Sequence, residues 1–222
     1  MSRNSTPEKS PDDIPARPLR ADAARNRERI IAAAQEVFAE RGLSVTLDDI
    51  AHHAGVGVGT VYRRFADREE LIEAVFEADI QRLAALAEEA LDDEHPWEGF
   101  VRFYLSVAED IAGNRGLREV LLEGTHGKER LPAARSRLTP AIGAVIGRAQ
   151  GAGELRDDFE PTDFPFLHLM LGTVSSRTRD VTPDLWKRYL TFILDGLRPH
   201  RSAPSTLPHR ALTHDEFESV ML

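Results

Sequence analysis

Apolar side chains recur along most of this chain with the spacing of one face of a helix. In the first such stretch, Ile30, Ala34 and Phe38 form a stripe within a helix expected over residues 23–41, and Gly42 supplies the stop. No stretch shows a convincing alternation of apolar and polar residues, which is the pattern of a half-buried strand. The pattern therefore predicts an all-α protein of about nine helices.

Residues 45–65 contain two short amphipathic segments separated by a glycine-containing turn. Thr46 followed by Asp49 fits a capping box at the start of the first segment. Gly55 fits its end, because glycine tolerates the left-handed conformation that is common at helix C-termini. These residues are therefore predicted to form two helices joined by a tight turn.

The second of these helices is predicted to have one buried side and one unusually polar side. Gly57 stands at its N-cap, while Val61 and Phe65, one helical turn apart, form the inward pair. The other positions are small, polar or basic, except for one valine: Val58, Gly59, Thr60, Tyr62, Arg63 and Arg64. A short helix of this composition, presented by a turn, is suited to the major groove of DNA.

The glycines at 55, 57 and 59 also suggest a dinucleotide-binding loop, but the surrounding pattern disfavours it. That fingerprint requires a preceding strand and the spacing G-x-G-x-x-G, whereas here a helix precedes the glycines and the last spacing differs. A plain helical hairpin inside a core is the other alternative. The basic residues Arg63, Arg64 and Arg68, expected to face solvent, argue against it.

Residues 27–76 resemble the N-terminal domain of the TetR family of transcriptional regulators. The positions that match the pattern of that family in order and spacing are Ile30, Ala33, Ala34, Phe38, Gly42, Thr46, Ile50, Ala51, Ala54, Gly55, Val56, Gly59, Thr60, Tyr62 and Phe65. Gly57 departs from the pattern, since serine is common there, and Arg68 stands where lysine is frequent. The resemblance implies an N-terminal three-helix DNA-binding domain with a helix-turn-helix, followed by a C-terminal helical bundle.

The resemblance also implies which residues contact double-stranded DNA. The candidate DNA-binding residues are Arg27, Thr46, Gly57, Val58, Gly59, Thr60, Tyr62, Arg63, Arg64 and Arg68. Arg63 is expected to contact a base, because its guanidinium fork matches O6 and N7 of guanine. The residues expected to hold phosphates are Thr46, Tyr62, Arg64 and Arg68.

The last two predicted helices are apolar on more than one face, which in a small domain indicates cover by a second subunit. The candidate interface residues are Leu167, Leu171, Val174, Trp186, Tyr189, Leu190 and Ile193. The resemblance implies the same arrangement, a homodimer joined through its final two helices as a four-helix bundle. Two-fold symmetry then predicts a near-palindromic operator.

A small-molecule effector bound in the C-terminal domain is a further implication of the resemblance. The candidate lining residues are Phe100, Phe103, Tyr104, Leu121, Phe166, His168 and Met170. Each also has an ordinary interpretation as a core residue. If these side chains line a pocket, their apolar character predicts a hydrophobic or aromatic ligand.

The net charge of −9 alone would disfavour binding to nucleic acid, but the charges are unevenly distributed along the chain. Residues 1–68 hold 11 Lys and Arg against 10 Asp and Glu, whereas the remainder holds 17 against 27. Binding to DNA depends on the local basic surface, so the N-terminal part stays compatible with it. The predicted division is a disordered arm (1–20), a DNA-binding domain (21–83, motif 46–65), a ligand-binding and dimerisation domain (84–198) and a flexible tail (199–222).

Other function classes find little support. The chain has no cysteine, the pair His52 and His53 has no partner four residues on, and neither a catalytic site, a metal site nor a cofactor is predicted. The lack of a long apolar run and the polar N-terminus predict a cytoplasmic protein. An architectural DNA-binding protein without an effector, and an enzyme using the C-terminal pocket, are the alternatives. The sequence leaves open the effector, the operator and the choice between repressor and activator.

Overall fold

The structure is a computed structural model that describes residues 16–123, 132–200, 206–213 and 216. Its α-helices are α1 (Ala16–Arg41), α2 (Leu47–Ala54), α3 (Val58–Arg64), α4 (Arg68–Leu91), α5 (Pro96–Gly113), α6 (Arg115–Arg118), α7 (Pro132–Gly151), α8 (Asp163–Thr178) and α9 (Trp186–Leu197). A π-helical turn, Glu119–Glu123, follows α6 and is called the π segment below. The described residues contain no strand, which confirms the all-α prediction.

The first helices and the start of α4 enclose one apolar core. Ile30 and Phe38 of α1 are completely buried, as are Ile50 of α2 and Val61 of α3. Phe38 stacks on Phe76 of α4 with the ring centroids 5.9 Å apart. The predicted apolar stripe of α1 therefore anchors both the short helices and the long connecting helix.

α1 begins at Ala16, earlier than the expected start at residue 23. Pro18 falls in the first turn, where a helix has no partner for the N–H that proline lacks, so it does not block the helix. Residues 16–20 are thus helical, contrary to the prediction of a disordered arm over 1–20. The remainder of that arm, residues 1–15, lies outside the described residues.

α4 joins the N-terminal and C-terminal parts of the molecule. Its buried side runs from Leu71 to Ala90, and its 24 residues span about 36 Å at the usual helical rise. α4 packs against α1 at one end and against α5 and α7 at the other. One continuous helix therefore runs from the N-terminal part into the C-terminal part.

The C-terminal part is a bundle in which α5 packs on α8, α4 on α7, and α8 on α9. The break after α5 lies at Asn114, whose Oδ1 accepts the Leu117 N–H at 3.0 Å and starts α6. Gly116 lies within α6. None of the helices in the described parts of the chain is both long and apolar enough to cross a membrane.

Hydrogen bonds define the turn before α9 and hold part of the tail. α9 begins at Trp186, after residues 182–185 form a turn in which the Leu185 N–H donates to the Thr182 carbonyl at 3.1 Å. Part of the predicted flexible tail contacts α9, since Arg188 Nη1 donates to the His209 carbonyl at 2.7 Å. The tail residues 201–205, 214–215 and 217–222 lie outside the described residues.

Candidate nucleic-acid interface and apolar cavity

The start of α2 is fixed by the predicted capping box. The Asp49 N–H donates to Thr46 Oγ1 at 3.2 Å, and the Thr46 N–H donates to Asp49 Oδ2 at 2.9 Å. The pKa of Asp49 is lowered below its usual value because its carboxylate accepts first from the Thr46 backbone N–H and also from the Thr46 hydroxyl. The Thr46 hydroxyl, expected to touch a phosphate, is also engaged with the Asp49 carboxylate at 2.7 Å.

The turn between α2 and α3 is stabilised by a residue of α1 as well as by its own residues. Gly55 has the predicted left-handed conformation, with φ 64°. From α1, Arg29 Nη2 donates to the Ala54 carbonyl at 2.8 Å, where the C-terminal end of α2 favours a positive charge. Arg29 is not among the residues predicted from the sequence, because nothing local to residue 29 indicates a contact with residue 54.

α3 presents one buried side and one solvent-facing side, as predicted. Val61 and Phe65 have no exposed surface, whereas Tyr62 is 55% exposed. Arg63 and Arg64 are also exposed, and Arg63 Nη2 donates to Thr60 Oγ1 at 3.0 Å. A basic and aromatic surface therefore lies on a helix that is firmly anchored on its opposite side.

The N-cap of α3 is Gly57, which has an extended backbone and offers no side chain to the first turn. Gly59 lies close to Arg63, since a Cβ added to Gly59 would stand 3.6 Å from Arg63 Nη1. Because residues 57 and 59 have no side chains, the first turn of α3 is thin. A partner can therefore approach its backbone closely between Val58 and Tyr62.

The flanking arginines have contacts within the protein. The Arg27 guanidinium lies over the Phe65 ring at 5.4 Å, and Arg68 Nε donates to the Val45 carbonyl at 3.3 Å. Arg68 is half-buried, while Arg27 is exposed. Because a guanidinium carries several N–H donors, each residue keeps donors for a phosphate while it braces the motif.

The C-terminal bundle contains an apolar cavity of about 320 Å³. Its lining residues come from α4, α5, the π segment, α7, and α8 with the turn before it: Leu83, Val107, Ile111, Leu121, Leu122, Leu138, Thr139, Ile142, Pro161, Thr162, Phe164, Pro165 and His168. None of these described lining residues carries an acidic or a permanently cationic side chain. The cavity is therefore suited to an uncharged molecule.

Only part of the predicted lining set borders this cavity. Leu121 and His168 do, whereas Phe100, Phe103 and Tyr104 are buried in an aromatic cluster beside it. Phe166 and Met170 are 68% and 52% exposed, so the structure places them outside the cavity. They fall on the outer side of α8, because Phe164, His168 and Leu171 occupy its inner side.

His168 is the one ionisable group in the described cavity wall. Its Nδ1 lies 2.8 Å from the Phe164 carbonyl and its Nε2 lies 3.1 Å from the Tyr104 carbonyl. Burial outweighs these two carbonyls, which favour the charged ring, and lowers the pKa of His168 to about 4. Beside it, the buried Tyr104 hydroxyl has no hydrogen-bond partner among the described residues, and burial raises its pKa.

The outer side of α8 and α9 carries large exposed apolar side chains. They are Phe166, Met170, Tyr189 and Phe192. Of the predicted interface residues, Tyr189 is exposed, and Leu167, Val174 and Ile193 are half-buried. Leu171, Trp186 and Leu190 are buried in the subunit's own core, which a single sequence could not distinguish from an interface.

Comparison with known proteins matches both parts of the chain. Residues 30–75 match the family described as bacterial regulatory proteins, tetR family, and residues 95–199 match the C-terminal domain described as transcriptional regulator SbtR-like. The regulator SrpR of Pseudomonas putida is 32% identical over 145 residues, which are 63% of this chain and 68% of SrpR. The chain belongs to the TetR family.

Two solved structures extend this TetR-family assignment to the fold. The TetR transcription regulatory protein from Mycobacterium vanbaalenii is 34% identical, with 82% of this chain and 99% of that chain covered and a TM-score of 0.52. A gamma-butyrolactone receptor described as ArpA-like is 25% identical, with 80% and 90% covered and a TM-score of 0.57. As a TetR-family protein, the chain is a DNA-binding regulator of transcription with a C-terminal helical domain.

Proposed function

We propose that this TetR-family protein is a dimeric repressor that α3 directs to a near-palindromic operator and that a small uncharged effector releases. The observation that carries the DNA-reading part is the exposed face of α3, where Tyr62, Arg63 and Arg64 project from a helix whose inner side is fully buried. The effector part is supported by the apolar cavity in the other half of the molecule.

In this proposal, the middle of α3 reads bases. Arg63 donates to O6 and N7 of a guanine, exchanging its hydrogen bond with Thr60 for contacts with the base. The methyl groups of Val58 and Thr60 contact a thymine methyl. Gly57 and Gly59 allow the helix backbone to lie close to the groove.

Phosphate contacts from the residues around α3 position the motif without specifying sequence. Arg64 and Tyr62 are exposed on α3 itself. Arg27 lies over Phe65 at the end of α3 and Arg68 begins α4, each braced by the protein contact described above. Thr46 contributes at the start of α2 when its hydroxyl exchanges the Asp49 carboxylate for a phosphate.

The dimer in this proposal forms through α8 and α9. Phe166 and Met170 lie on consecutive turns of α8, and Tyr189 and Phe192, three residues apart on α9, have ring centroids 6.4 Å apart. Burying these side chains against the same surface of a second subunit is favourable by roughly 25 cal/mol per Å² of apolar area. The two-fold axis would then present two α3 helices to successive major grooves, which requires a near-palindromic site.

The effector is proposed to be uncharged and mainly apolar, because the described cavity wall offers no counter-ion. Polar contacts are available from Thr139, Thr162 and His168. The similarity to a gamma-butyrolactone receptor is in line with this class of ligand, since a lactone is uncharged. A ligand of this kind shifts DNA binding only if it prefers one arrangement of the subunits.

The test is footprinting of the purified full chain on genomic DNA, followed by release of the protected DNA with a panel of uncharged apolar compounds. The repressor proposal expects discrete near-palindromic sites and loss of protection with at least one compound. Binding that ignores sequence would instead support the architectural alternative. Failure to protect any discrete site would contradict the proposed function.

A further inference from the structure

We propose that Glu119 is a positioning residue that ties the cavity wall to the DNA-binding motif, so that occupation of the cavity is transmitted through the π segment as well as through α4. The proposal rests on the function proposed above. It concerns a contact between residues far apart in the chain, at the point where the two parts of the molecule meet.

The first observation is a hydrogen bond across that junction. Glu119 Oε2 accepts the backbone N–H of Leu43 at 2.6 Å, in the loop between α1 and α2. Its other carboxylate oxygen accepts from Arg115 Nε at 2.8 Å. The Glu119 side chain is largely buried, at 14% exposure, so water competes weakly for this contact.

The loop side of the contact is shaped to receive the carboxylate. Gly42 has φ 74°, and a Cβ added there would lie 2.3 Å from Glu119 Oε1. A side chain at residue 42 would therefore push the carboxylate away from its present place beside the Leu43 N–H. This loop leads directly into Thr46, the cap of α2, and its Val45 carbonyl accepts from Arg68 at the start of α4.

α6, directly before Glu119, is packed closely on both of its sides. A Cβ added to Gly116 would lie 2.8 Å from Phe76 Cζ and 2.9 Å from Phe38 Cβ, so α6 touches both α1 and α4 directly. On its other side, Arg118 Nη1 donates to the Gly172 carbonyl at 3.2 Å and to Ser176 Oγ at 2.7 Å. α6 is therefore held between the DNA-binding part and α8.

The π segment connects α6 to the cavity. It starts at Glu119, and two and three residues later Leu121 and Leu122 form part of the cavity wall. π-helical turns are less stable than α-helix and are common at functional sites, which makes such a segment able to change its path. A ligand that displaces Leu121 or Leu122 would thereby change the reach of Glu119 to Leu43.

The first test measures amide hydrogen exchange at Leu43 in the full chain, which needs neither DNA nor a known ligand. Glu119→Ala should accelerate exchange at Leu43 on the order of tenfold, because a hydrogen bond to a charged group is lost. Glu119→Gln, which keeps an oxygen acceptor, should restore most of the protection. Glu89→Ala, at an exposed position of α4, is the matched control and should change nothing. Unchanged exchange in Glu119→Ala would overturn the proposal.

The second test asks whether the cavity acts through this contact. Ile142→Trp adds volume to the wall from α7 and serves as a built-in occupant; Ile142→Phe replaces it where the larger side chain prevents folding. The substitution should accelerate exchange at Leu43 and weaken binding to the DNA selected by the unmodified protein about fivefold or more. In the Glu119→Ala background, the effect on DNA affinity should become clearly smaller without vanishing, because the path through α4 remains.

An effect of Ile142→Trp on DNA affinity that is equally large with and without Glu119, or no effect in either background, would overturn the link. If the unmodified protein selects no discrete DNA, the proposed function fails. The response of Leu43 exchange to Ile142→Trp still decides on the link itself. The two failures are therefore distinguishable.

Discussion

The DNA-reading motif and the apolar cavity are built in opposite ways. The motif is formed by about twenty consecutive residues whose caps, turn and inward pair are all set by near neighbours in sequence. The cavity draws its walls from α4, α5, the π segment, α7 and α8, so no continuous stretch describes it. A substitution in the motif should therefore change either its stability or its DNA binding. A substitution in the cavity wall should affect several helices at once.

The largest expected effect separates the two sides of α3. Phe65→Ala removes a completely buried ring that packs under Arg27 and should lower the free energy of unfolding by about 3–5 kcal/mol. Tyr62→Ala, at a mostly exposed position three residues earlier, should change that free energy by less than about 0.5 kcal/mol. Thermal and denaturant unfolding of the two variants measures the contrast. Similar losses in both would mean that α3 has no distinct outer face.

The next effect belongs to the cavity and depends on pH. The pKa of His168 is lowered to about 4 by burial, below its ordinary value of 6.5, so the unfolded chain binds more protons between these values. The contribution of the neutral ring to stability is present at pH 7 and is lost as the pH falls from about 6.5 towards 4, by on the order of 3 kcal/mol.

The matched variant for this prediction is His168→Met, which cannot titrate. Its unfolding free energy should fall less between pH 7 and pH 4.5 than that of the unmodified protein, although carboxylates titrate in both. Denaturant unfolding at a series of pH values measures the difference. Parallel curves for the two proteins would contradict the buried neutral histidine.

The third effect divides base reading from positioning within the motif. Arg63→Ala should cost about 1–3 kcal/mol of binding at particular base pairs, and preference there should relax. Arg68→Ala should instead weaken all sequences alike and reduce the salt dependence of binding. Gel-shift titrations on a series of operator variants measure both. The reverse pattern would show that Arg68, not Arg63, reads sequence.

The same contrast shows what one sequence can predict. The capping box of Thr46 and the left-handed Gly55 follow from local chemistry, and both were confirmed. The exposure of Phe166 and Met170 could not be read from the sequence, because apolar residues occur on every side of α8 and only its neighbours decide which side is buried. The contacts of Arg29 with Ala54 and of Glu119 with Leu43 join residues 25 and 76 positions apart, so no local pattern indicates them.

The smallest expected effect concerns Gly57, the position at which the motif departs from the serine common in its family. Its backbone is extended, with φ −68° and ψ 141°, which serine adopts readily, and an added Cβ would lie no closer than 4.0 Å to Thr60 Oγ1. Gly57→Ser should therefore place a hydroxyl that accepts an N–H of the first turn of α3. The expected gain is a few tenths of a kcal/mol in unfolding free energy. Gly57→Ala, which adds the Cβ without the acceptor, is the control. A gain from alanine equal to that from serine would show that reduced freedom of the unfolded chain, and not a missing cap, limits the stability of this helix.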